Sequence, residues 1–236
     1  MQAVILAGGL GMRLRPLTEV IPKPLLPIGE ASILEIIIGN FAQFGFEEIF
    51  IATNYRSELI ESYIGDGEKF GIKIGYSREE EPLGTAGPLG LLRERITDDF
   101  VLINGDILTN LDFSQLRSWH AERGHKLTLV TKSFQTPLSY GVVSCEGDRV
   151  LGIEEKPVVE SIINAGIYCI SPSCLSFIPE NERYDMNTFI RTLIQSEYPV
   201  GRYALDSYWF DIGQFQDYER AQEWHRAGKL KIHSQD

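Results

Sequence analysis

Short apolar runs alternate with helix-forming segments through the first half of the chain, and this order constrains the fold more than any other feature. The runs are unbroken rather than alternating between apolar and polar residues, which is typical of parallel strands covered on both faces. Strands are predicted at residues 4–7, 49–52, 72–76, 100–103 and 127–130. Because strands that alternate with helices form βαβ units, the sequence predicts an α/β fold with a mainly parallel sheet flanked by helices.

Helix signals fill segments between these strands. Ser32 and Glu35 have the spacing of a capping box, and apolar side chains then recur at helical spacing until Gly45, which is placed to end the helix. Two further helices are predicted at residues 56–64 and 113–123, each followed by a glycine. Each predicted helix therefore joins two predicted strands.

The second half of the chain is less regular. It predicts a β-hairpin with strands at 141–145 and 150–153, further strands at 162–170 and 208–212, a final helix at 214–227 and a polar tail at 229–236. Neither half contains an internal repeat, a low-complexity segment or a linker rich in proline and serine. We therefore predict one domain over residues 1–236.

The chain is acidic: 22 Lys and Arg against 33 Asp and Glu give a net charge of −11 at pH 7. Nucleic acids and anionic membranes repel such a chain, so neither is expected as a partner. The sequence has no apolar run long enough to span a membrane and no basic start of a signal peptide, so a cytoplasmic protein is expected. The three cysteines lack metal-ligand spacing and are odd in number, which argues against a disulfide framework and a zinc site.

A glycine-rich turn containing Gly8, Gly9 and Gly11 follows the first predicted strand. Glycines let backbone N–H groups approach an anion closely. The turn lacks the Gly-Lys-Ser/Thr ending of a Walker A loop. It also departs from the dinucleotide-binding fingerprint, because Leu14 occupies the place of the third small residue and Pro16 obstructs the helix that should begin there. An NAD-dependent dehydrogenase is therefore disfavoured.

Three cations lie next to this turn in an otherwise acidic chain: Arg13, Arg15 and Lys23. Lys23 stands between Pro22 and Pro24, which fix its backbone. Cations held beside a glycine-rich loop favour a polyphosphate ligand. A charged loop in solvent is the alternative interpretation.

A series of further motifs accompanies this segment in a fixed order along the chain. With residues 6–17 and 22–24, the motifs lie at 81–87, 104–106, 140–143, 154–157, 164–168 and 209–213. Together they resemble the signature of the sugar nucleotidyltransferases, also called NDP-sugar pyrophosphorylases. The resemblance implies a Rossmann-like, glycosyltransferase-A-like fold. It also implies that an NTP and a sugar 1-phosphate are converted to an NDP-sugar and pyrophosphate.

The resemblance also implies roles for individual residues. Catalytic roles fall on Arg13, Lys23 and Lys156; Mg²⁺ ligands are Asp106 and Asp211; nucleotide contacts are Leu6, Ala7, Gly8, Gly9, Gly11, Glu81, Gly84 and Thr85; sugar contacts are Gly141, Glu155, Asn164 and Gly166. A phosphate monoester has a second pKa of about 6 and is largely dianionic at neutral pH, so no residue is needed to activate it. Positioning and electrostatic stabilisation are therefore expected to dominate, with Mg²⁺ as the cofactor.

The segment at 79–89 resembles the base-recognition loop of mannose-1-phosphate guanylyltransferases. A carboxylate can accept both N1–H and N2–H of guanine, so GTP and a mannose-type sugar are favoured. The chain is shorter than those enzymes, which usually carry a C-terminal β-helix. Two alternatives stay open: a UTP- or dTTP-dependent enzyme for glucose, N-acetylmuramate, heptose or a similar sugar, and a non-catalytic NDP-sugar-binding regulatory subunit. A homo-oligomer also stays open.

Overall fold

The structure is a computed structural model and describes residues 1–230, so the predicted polar tail lies outside the described residues from 231 onward. The strands are β1 (Gln2–Leu6), β2 (Pro27–Ile28), β3 (Ala31–Ser32), β4 (Glu48–Thr53), β5 (Lys73–Arg78), β6 (Phe100–Asn104), β7 (Ile107–Thr109), β8 (Leu127–Pro137), β9 (Val142–Glu146), β10 (Arg149–Glu154), β11 (Val158–Ile170), β12 (Val200–Ala204) and β13 (Trp209–Asp211). The α-helices are α1 (Ile33–Gln43), α2 (Ser57–Ile64), α3 (Phe113–Glu122), α4 (Met186–Gln195) and α5 (Phe215–Arg226).

Seven strands form one sheet in the order β12-β8-β11-β6-β1-β4-β5. Strand β1 is parallel to both neighbours, β4 is parallel to β5, and β12 is parallel to β8. Only β11 runs antiparallel to its neighbours in this sheet. The predicted α/β fold with a mixed, mainly parallel, Rossmann-like sheet is therefore confirmed.

Side chains of the central strand alternate between two apolar layers. Ala3 and Ile5 are buried in one layer and Val4 is buried in the other. In the first layer, Phe41 of α1 stacks on Phe113 of α3 with ring centroids 4.3 Å apart. Because both faces of β1 are covered, residues 3–6 of the strand are all apolar, which is why the sequence shows an unbroken run.

The predicted capping box begins α1. The Ser32 hydroxyl accepts a hydrogen bond from the Glu35 backbone N–H at 3.2 Å, and the Glu35 carboxylate accepts one from the Ser32 N–H at 2.9 Å. Gly45 follows the helix with a φ of +76°, a conformation that favours glycine. The predictions of α2, α3 and α5 are also confirmed. None of the helices within residues 1–230 is long and apolar enough to cross a membrane.

The structure differs from the sequence prediction in the second half. Strands β8 and β11 extend seven residues and four residues beyond their predicted bounds, as a two-stranded ribbon whose side chains are mostly exposed. A strand that is exposed on both faces lacks the pattern of apolar residues that marks a buried strand, so the sequence carries no signal for these extensions. Helix α4 was missed although Met186, Phe189, Ile190 and Leu193 have helical spacing and are buried. Strand β12 was missed as well, because it is a short edge strand of mixed polarity.

His120 is a buried titratable group on α3. Its Nδ1 lies 2.8 Å from the Thr128 hydroxyl and its Nε2 lies 3.3 Å from the Ser171 hydroxyl. Burial lowers the pKa of His120 below its ordinary 6.5, and the carboxylate of Asp99 only partly opposes this shift. The imidazole is therefore harder to protonate in the folded chain than in the unfolded chain.

We expect the free energy of unfolding to fall as the pH falls below about 6.5, because the unfolded chain then binds a proton at His120 that the folded chain resists. The loss continues until the pH passes the lowered folded-state pKa. Urea unfolding at pH 7.5 and at pH 5.5 measures the effect. His120→Gln is expected to have a smaller difference between the two pH values than the wild type, and equal differences would contradict this role of His120.

Candidate active site

The carboxyl ends of β1 and β6 open into a cavity of about 530 Å³. The neighbouring strands are in register, with Leu6 opposite Asn104, so the loops that follow them meet at one edge of the sheet. Ten of the predicted site residues line this cavity: Leu6, Ala7, Gly8, Gly9, Gly11, Arg13, Lys23, Gly84, Thr85 and Asp106. The structure thus brings most of the predicted nucleotide contacts and two of the predicted catalytic groups together.

The glycine-rich turn forms one wall of the cavity. Gly11 has a φ of +60°, and a Cβ there would lie 2.9 Å from the Thr18 side chain and 3.2 Å from the Lys23 side chain. Thr18 also donates a hydrogen bond of 2.8 Å to the Gly11 carbonyl. A Cβ on Gly8 would lie 2.9 Å from the Glu79 carboxylate. Gly11 is therefore required by its backbone conformation and by close packing, whereas a side chain at Gly8 would displace the Glu79 carboxylate.

Lys23 forms an ion pair with Asp106 inside the cavity. The Lys23 side chain is only 11% exposed and the Asp106 side chain 26% exposed, so solvent screens the pair less than it would a surface pair. Lys23 begins a short 3₁₀ turn that ends at Leu25, and Asp106 lies in the tight connection between β6 and β7. The backbone of each residue is hydrogen-bonded: the Lys23 carbonyl accepts from the Leu26 N–H at 3.1 Å and the Asp106 carbonyl accepts from the Ile212 N–H at 2.9 Å.

Asp211 joins this pair through strand β13. This strand pairs with β7, and the Ile212 N–H donates to the Asp106 carbonyl at 2.9 Å. A Cβ on Gly213 would lie 3.4 Å from the Asp211 carboxylate and 3.5 Å from the Arg13 guanidinium. Asp211 is exposed at the end of β13, but desolvation by the surrounding chain raises its pKa, the charge of Asp106 raises it further, and Lys23 and Arg13 oppose the rise. Two carboxylates and two cations from distant segments therefore share one electrostatic environment.

Asp106 and Asp211 are the candidate metal ligands. Mg²⁺ is usually held by one or two carboxylates and completes its shell with water and phosphate oxygens. No group of three or more metal-ligating side chains occurs in the part of the chain that the structure describes. A pair of carboxylates beside this cavity therefore fits Mg²⁺ better than it fits a metal that needs an all-protein cage.

Two of the predicted sugar contacts lie at a bulge in β11. The pairing of β11 with β8 shifts between Asn164 and Tyr168, and Gly166 adopts a φ of +70° there. Asn164 accepts a hydrogen bond of 3.1 Å from the Gly166 N–H and donates one of 2.7 Å to the Tyr168 hydroxyl. A Cβ on Gly166 would lie 2.6 Å from the amide of Asn104, a residue that lines the cavity. The bulge thus presses against the cavity wall.

The other two predicted sugar contacts, Gly141 and Glu155, and the predicted catalytic residue Lys156 lie on an exposed arm. We define the β-arm as residues 132–163, which comprise the outer parts of β8 and β11 together with β9 and β10. A Cβ on Gly141 would lie 3.2 Å from the Glu155 carboxylate, so these two residues are neighbours. The Lys156 side chain is 66% exposed, its φ is +47°, and its ammonium lies 3.9 Å from Glu155. The structure does not bring Lys156 into the cavity with Lys23, because the β-arm projects beyond the body of the sheet.

Glu79, rather than the predicted Glu81, lines the cavity. One oxygen of Glu79 accepts a hydrogen bond of 2.8 Å from the Leu83 N–H, and burial raises the pKa of this carboxyl. Glu81 is exposed. The sequence did contain a signal, because Glu79 is the first residue after β5 and ligand contacts concentrate where parallel strands end.

Arg183 and Asp185 also line the cavity, and sequence reasoning did not select them. They precede α4, a helix that was not predicted. A Cβ on Gly84 would lie 2.7 Å from the Asp185 carboxylate, and the Thr85 hydroxyl accepts from the Met186 N–H at 2.8 Å. The start of α4 is therefore fastened to the loop that carries the predicted base contacts.

Comparison with known families agrees with this geometry. Residues 2–227 match the family model of the nucleotidyl transferases. The chain belongs to the nucleotidyl transferase family. The predicted relationship to the sugar nucleotidyltransferases is confirmed by relatives of that description.

Two relatives in this nucleotidyl transferase family differ in the base and sugar that their names specify. The UTP–glucose-1-phosphate uridylyltransferase of Synechocystis is 36% identical over an alignment of 241 positions, which covers 94% of this chain and 62% of the relative. The mannose-1-phosphate guanylyltransferase catalytic subunit beta of Danio rerio is 38% identical over 226 aligned positions, which cover 92% of this chain and 62% of the relative. The chain thus spans less than two thirds of the length of these relatives.

A solved structure shares the fold of this nucleotidyl transferase. HddC from Yersinia pseudotuberculosis matches with a TM-score of 0.75 at 26% identity, over 95% of this chain and 99% of that chain. HddC has also been crystallised with GMP-PN. In the nucleotidyl transferase described here, two cations and two carboxylates lie close together beside a cavity lined by the glycine-rich turn.

Proposed function

We propose that this chain is a sugar-1-phosphate nucleotidyltransferase. It would transfer a nucleotidyl group from an NTP to a sugar 1-phosphate and release pyrophosphate, with Mg²⁺ as cofactor. The observation that carries this proposal is the meeting of Arg13, Lys23, Asp106 and Asp211 beside a glycine-lined cavity. Two cations and two carboxylates from segments so far apart in the chain are not expected to lie together on a surface that lacks this chemistry.

The chain's own residues would act by position and charge. The glycine turn and Arg13 would hold the triphosphate, and Lys23 would place its ammonium beside the phosphates, where it stabilises charge that develops on the departing pyrophosphate. Asp106 and Asp211 would hold Mg²⁺. When bound, the metal supplies charge neutralisation and orients the phosphate oxygens.

The sugar 1-phosphate would bind on the β11 side of the cavity. Asn164 and Gly166 stand at the bulge that touches the cavity wall, and Gly141 and Glu155 would meet sugar hydroxyls from the β-arm. Lys156 would pair with the sugar phosphate. Because Lys156 is exposed outside the cavity, this role requires the β-arm to change its position relative to the sheet.

GTP is the favoured nucleotide because Glu79 lines the cavity next to Gly8. Its carboxylate can accept both N1–H and N2–H of guanine, whereas uracil and thymine offer a single N–H. The guanylyltransferase name of the Danio rerio relative and the GMP-PN complex of HddC are in line with this preference. The Synechocystis relative supports UTP as the second candidate, with glucose 1-phosphate as its acceptor.

A substrate matrix tests this proposal. Five NTPs are each combined with mannose, glucose, N-acetylmuramate and heptose 1-phosphates, and pyrophosphate release is measured with Mg²⁺ present. We expect turnover with GTP and mannose 1-phosphate or a related sugar, and an Asp106→Asn preparation controls for contaminating activity. Nucleotide binding without turnover in any combination would indicate a regulatory subunit, and turnover restricted to UTP or dTTP would overturn the base preference.

A further inference from the structure

One arginine ties the loop that carries two of the cavity's cations to the body of the protein. We call residues 11–26 the cation loop. Arg56, at the start of α2, donates hydrogen bonds from its guanidinium to the backbone carbonyls of Glu19 and Val20. Within the described part of the chain, every hydrogen bond that joins residues 16–21 to a segment outside the cation loop comes from Arg56. The outer turn of the loop is thus held by this one side chain.

The local conformation of Arg56 does not explain why an arginine stands there. Its φ of +54° and ψ of +40° are left-handed, a conformation that favours glycine or asparagine. It is also the N-cap of α2, where serine, threonine, aspartate or asparagine is preferred, and its side chain makes no capping hydrogen bond. Asparagine would suit both requirements better. A disfavoured conformation persists where its surroundings fix it, and such residues concentrate at functional sites.

The contacts of the Arg56 side chain do require an arginine. Its Nε donates to the Tyr55 hydroxyl at 2.8 Å, and its guanidinium carbon lies 5.2 Å from the centre of the Tyr55 ring. The two remaining nitrogens donate to the consecutive carbonyls of Glu19 and Val20. A planar guanidinium presents its donors in a fixed fork, which an ammonium cannot reproduce. Arg56 therefore fixes the position of the outer turn relative to the end of β4.

The cation loop is also closed upon itself at the glycine-rich turn. The Gly11 carbonyl accepts from the Thr18 hydroxyl at 2.8 Å and from the Leu14 N–H at 2.9 Å. Thr18 and Glu19 belong to the same short 3₁₀ turn. On the other side of the turn, a Cβ on Gly11 would lie 3.2 Å from the Lys23 side chain. Holding the Glu19 carbonyl in place therefore also restrains the glycine-rich turn and Lys23.

We propose that Arg56 is a positioning residue that keeps the cation loop in its binding conformation before nucleotide arrives. The inference rests on the proposed function, in which Arg13 and Lys23 of this loop bind the triphosphate. A loop that is ordered in advance lowers the entropy cost of binding. The benefit therefore falls on affinity for the triphosphate, and a nucleotide that lacks the β- and γ-phosphates gains much less from it.

Arg56→Asn tests this inference, because asparagine suits the backbone at this position but is too short to reach the two carbonyls. We expect the Kd for GTP to rise about tenfold and that for GMP to change less than about twofold, since a loop that is competent in about one tenth of the molecules weakens binding by that factor. Isothermal titration calorimetry with Mg²⁺ present measures both. The melting temperature should stay near the wild-type value, so that affinity and stability separate.

Hydrogen exchange of the nucleotide-free chain tests the same inference without a ligand. The backbone N–H groups of Leu14, Glu19 and Leu25 each donate to a carbonyl within the cation loop. They should exchange faster in Arg56→Asn than in the wild type. Arg56→Lys keeps the charge but not the fork, so we expect both its exchange rates and its Kd for GTP to lie between those of Arg56→Asn and the wild type.

Arg93→Gln is the matched control. Arg93 also donates from its guanidinium to two backbone carbonyls, those of Leu175 and Ile178, and it does not line the cavity. Its replacement removes a contact of the same kind from a different segment. This variant should keep the wild-type exchange rates of the cation loop and the wild-type Kd for GTP.

Wild-type exchange of the cation loop in Arg56→Asn would overturn the inference. So would equal losses of affinity for GTP and GMP, or a loss of GTP affinity in Arg93→Gln as large as that in Arg56→Asn, because either result indicates a general loss of packing. If the wild-type chain binds no GTP, the proposed function fails. The exchange comparison then still decides whether Arg56 holds the loop, so the two failures are distinguishable.

Discussion

Asp106→Asn is expected to lower kcat by on the order of 10²-fold or more, as removal of a preorganised charge in an active site typically does. The substitution keeps the shape of the side chain but removes the negative charge that pairs with Lys23. It also removes one of the two carboxylates that would hold Mg²⁺, so the Mg²⁺ concentration for half-maximal rate should rise as well. Initial rates of pyrophosphate release across an Mg²⁺ titration measure both effects.

A surface ion pair serves as the matched control for this variant. Glu61 pairs with Arg78 at 2.6 Å, and the Arg78 side chain is 55% exposed. Exposed pairs contribute about 0–1 kcal/mol to stability, and this one lies outside the cavity, so Glu61→Gln should keep kcat within about twofold of wild type. A wild-type kcat and Mg²⁺ dependence in Asp106→Asn would remove Asp106 from the proposed mechanism.

Features that depend on neighbouring residues were predictable from the sequence. The capping box of Ser32 and Glu35 is a contact between residues three apart, so local spacing was sufficient. The apolar run at β1 indicated that this strand is buried on both faces. The meeting of Asp106 with Asp211 is different, because it depends on the pairing of β7 with β13. No local pattern encodes that pairing, and only the family resemblance indicated it.

The site residues and strands that the sequence analysis missed also depend on features that no local sequence pattern encodes. Among three consecutive glutamates, the one that lines the cavity is chosen by where β5 ends and by the Leu83 N–H that holds Glu79. Arg183 and Asp185 reach the cavity because α4 is fastened to the Thr85 loop across a separation of about a hundred residues. The β-arm was predicted only in part, since a ribbon exposed on both faces lacks the burial pattern by which strands are recognised.

Glu79→Gln is expected to lower kcat/KM for GTP by about 10- to 100-fold, the range for losing a hydrogen-bonded charge from a site that binds a polar group. The amide of Gln offers one acceptor oxygen and a donor NH₂, so it can no longer accept from both N1–H and N2–H of guanine. It can still accept from the Leu83 N–H, which keeps the loop in place. The kcat/KM for UTP should change little, because Gln can pair with the N–H and a carbonyl of uracil.

The ratio of kcat/KM for GTP to that for UTP is the deciding measurement, because a general loss of activity lowers both values and leaves the ratio unchanged. Glu81→Gln is the matched control: it makes the same chemical change two residues away, at an exposed position outside the cavity. We expect the ratio to fall in Glu79→Gln and to stay at the wild-type value in Glu81→Gln. If the ratio instead falls in Glu81→Gln and stays at the wild-type value in Glu79→Gln, Glu81 recognises the base. The loop at 79–85 must then rearrange when nucleotide binds.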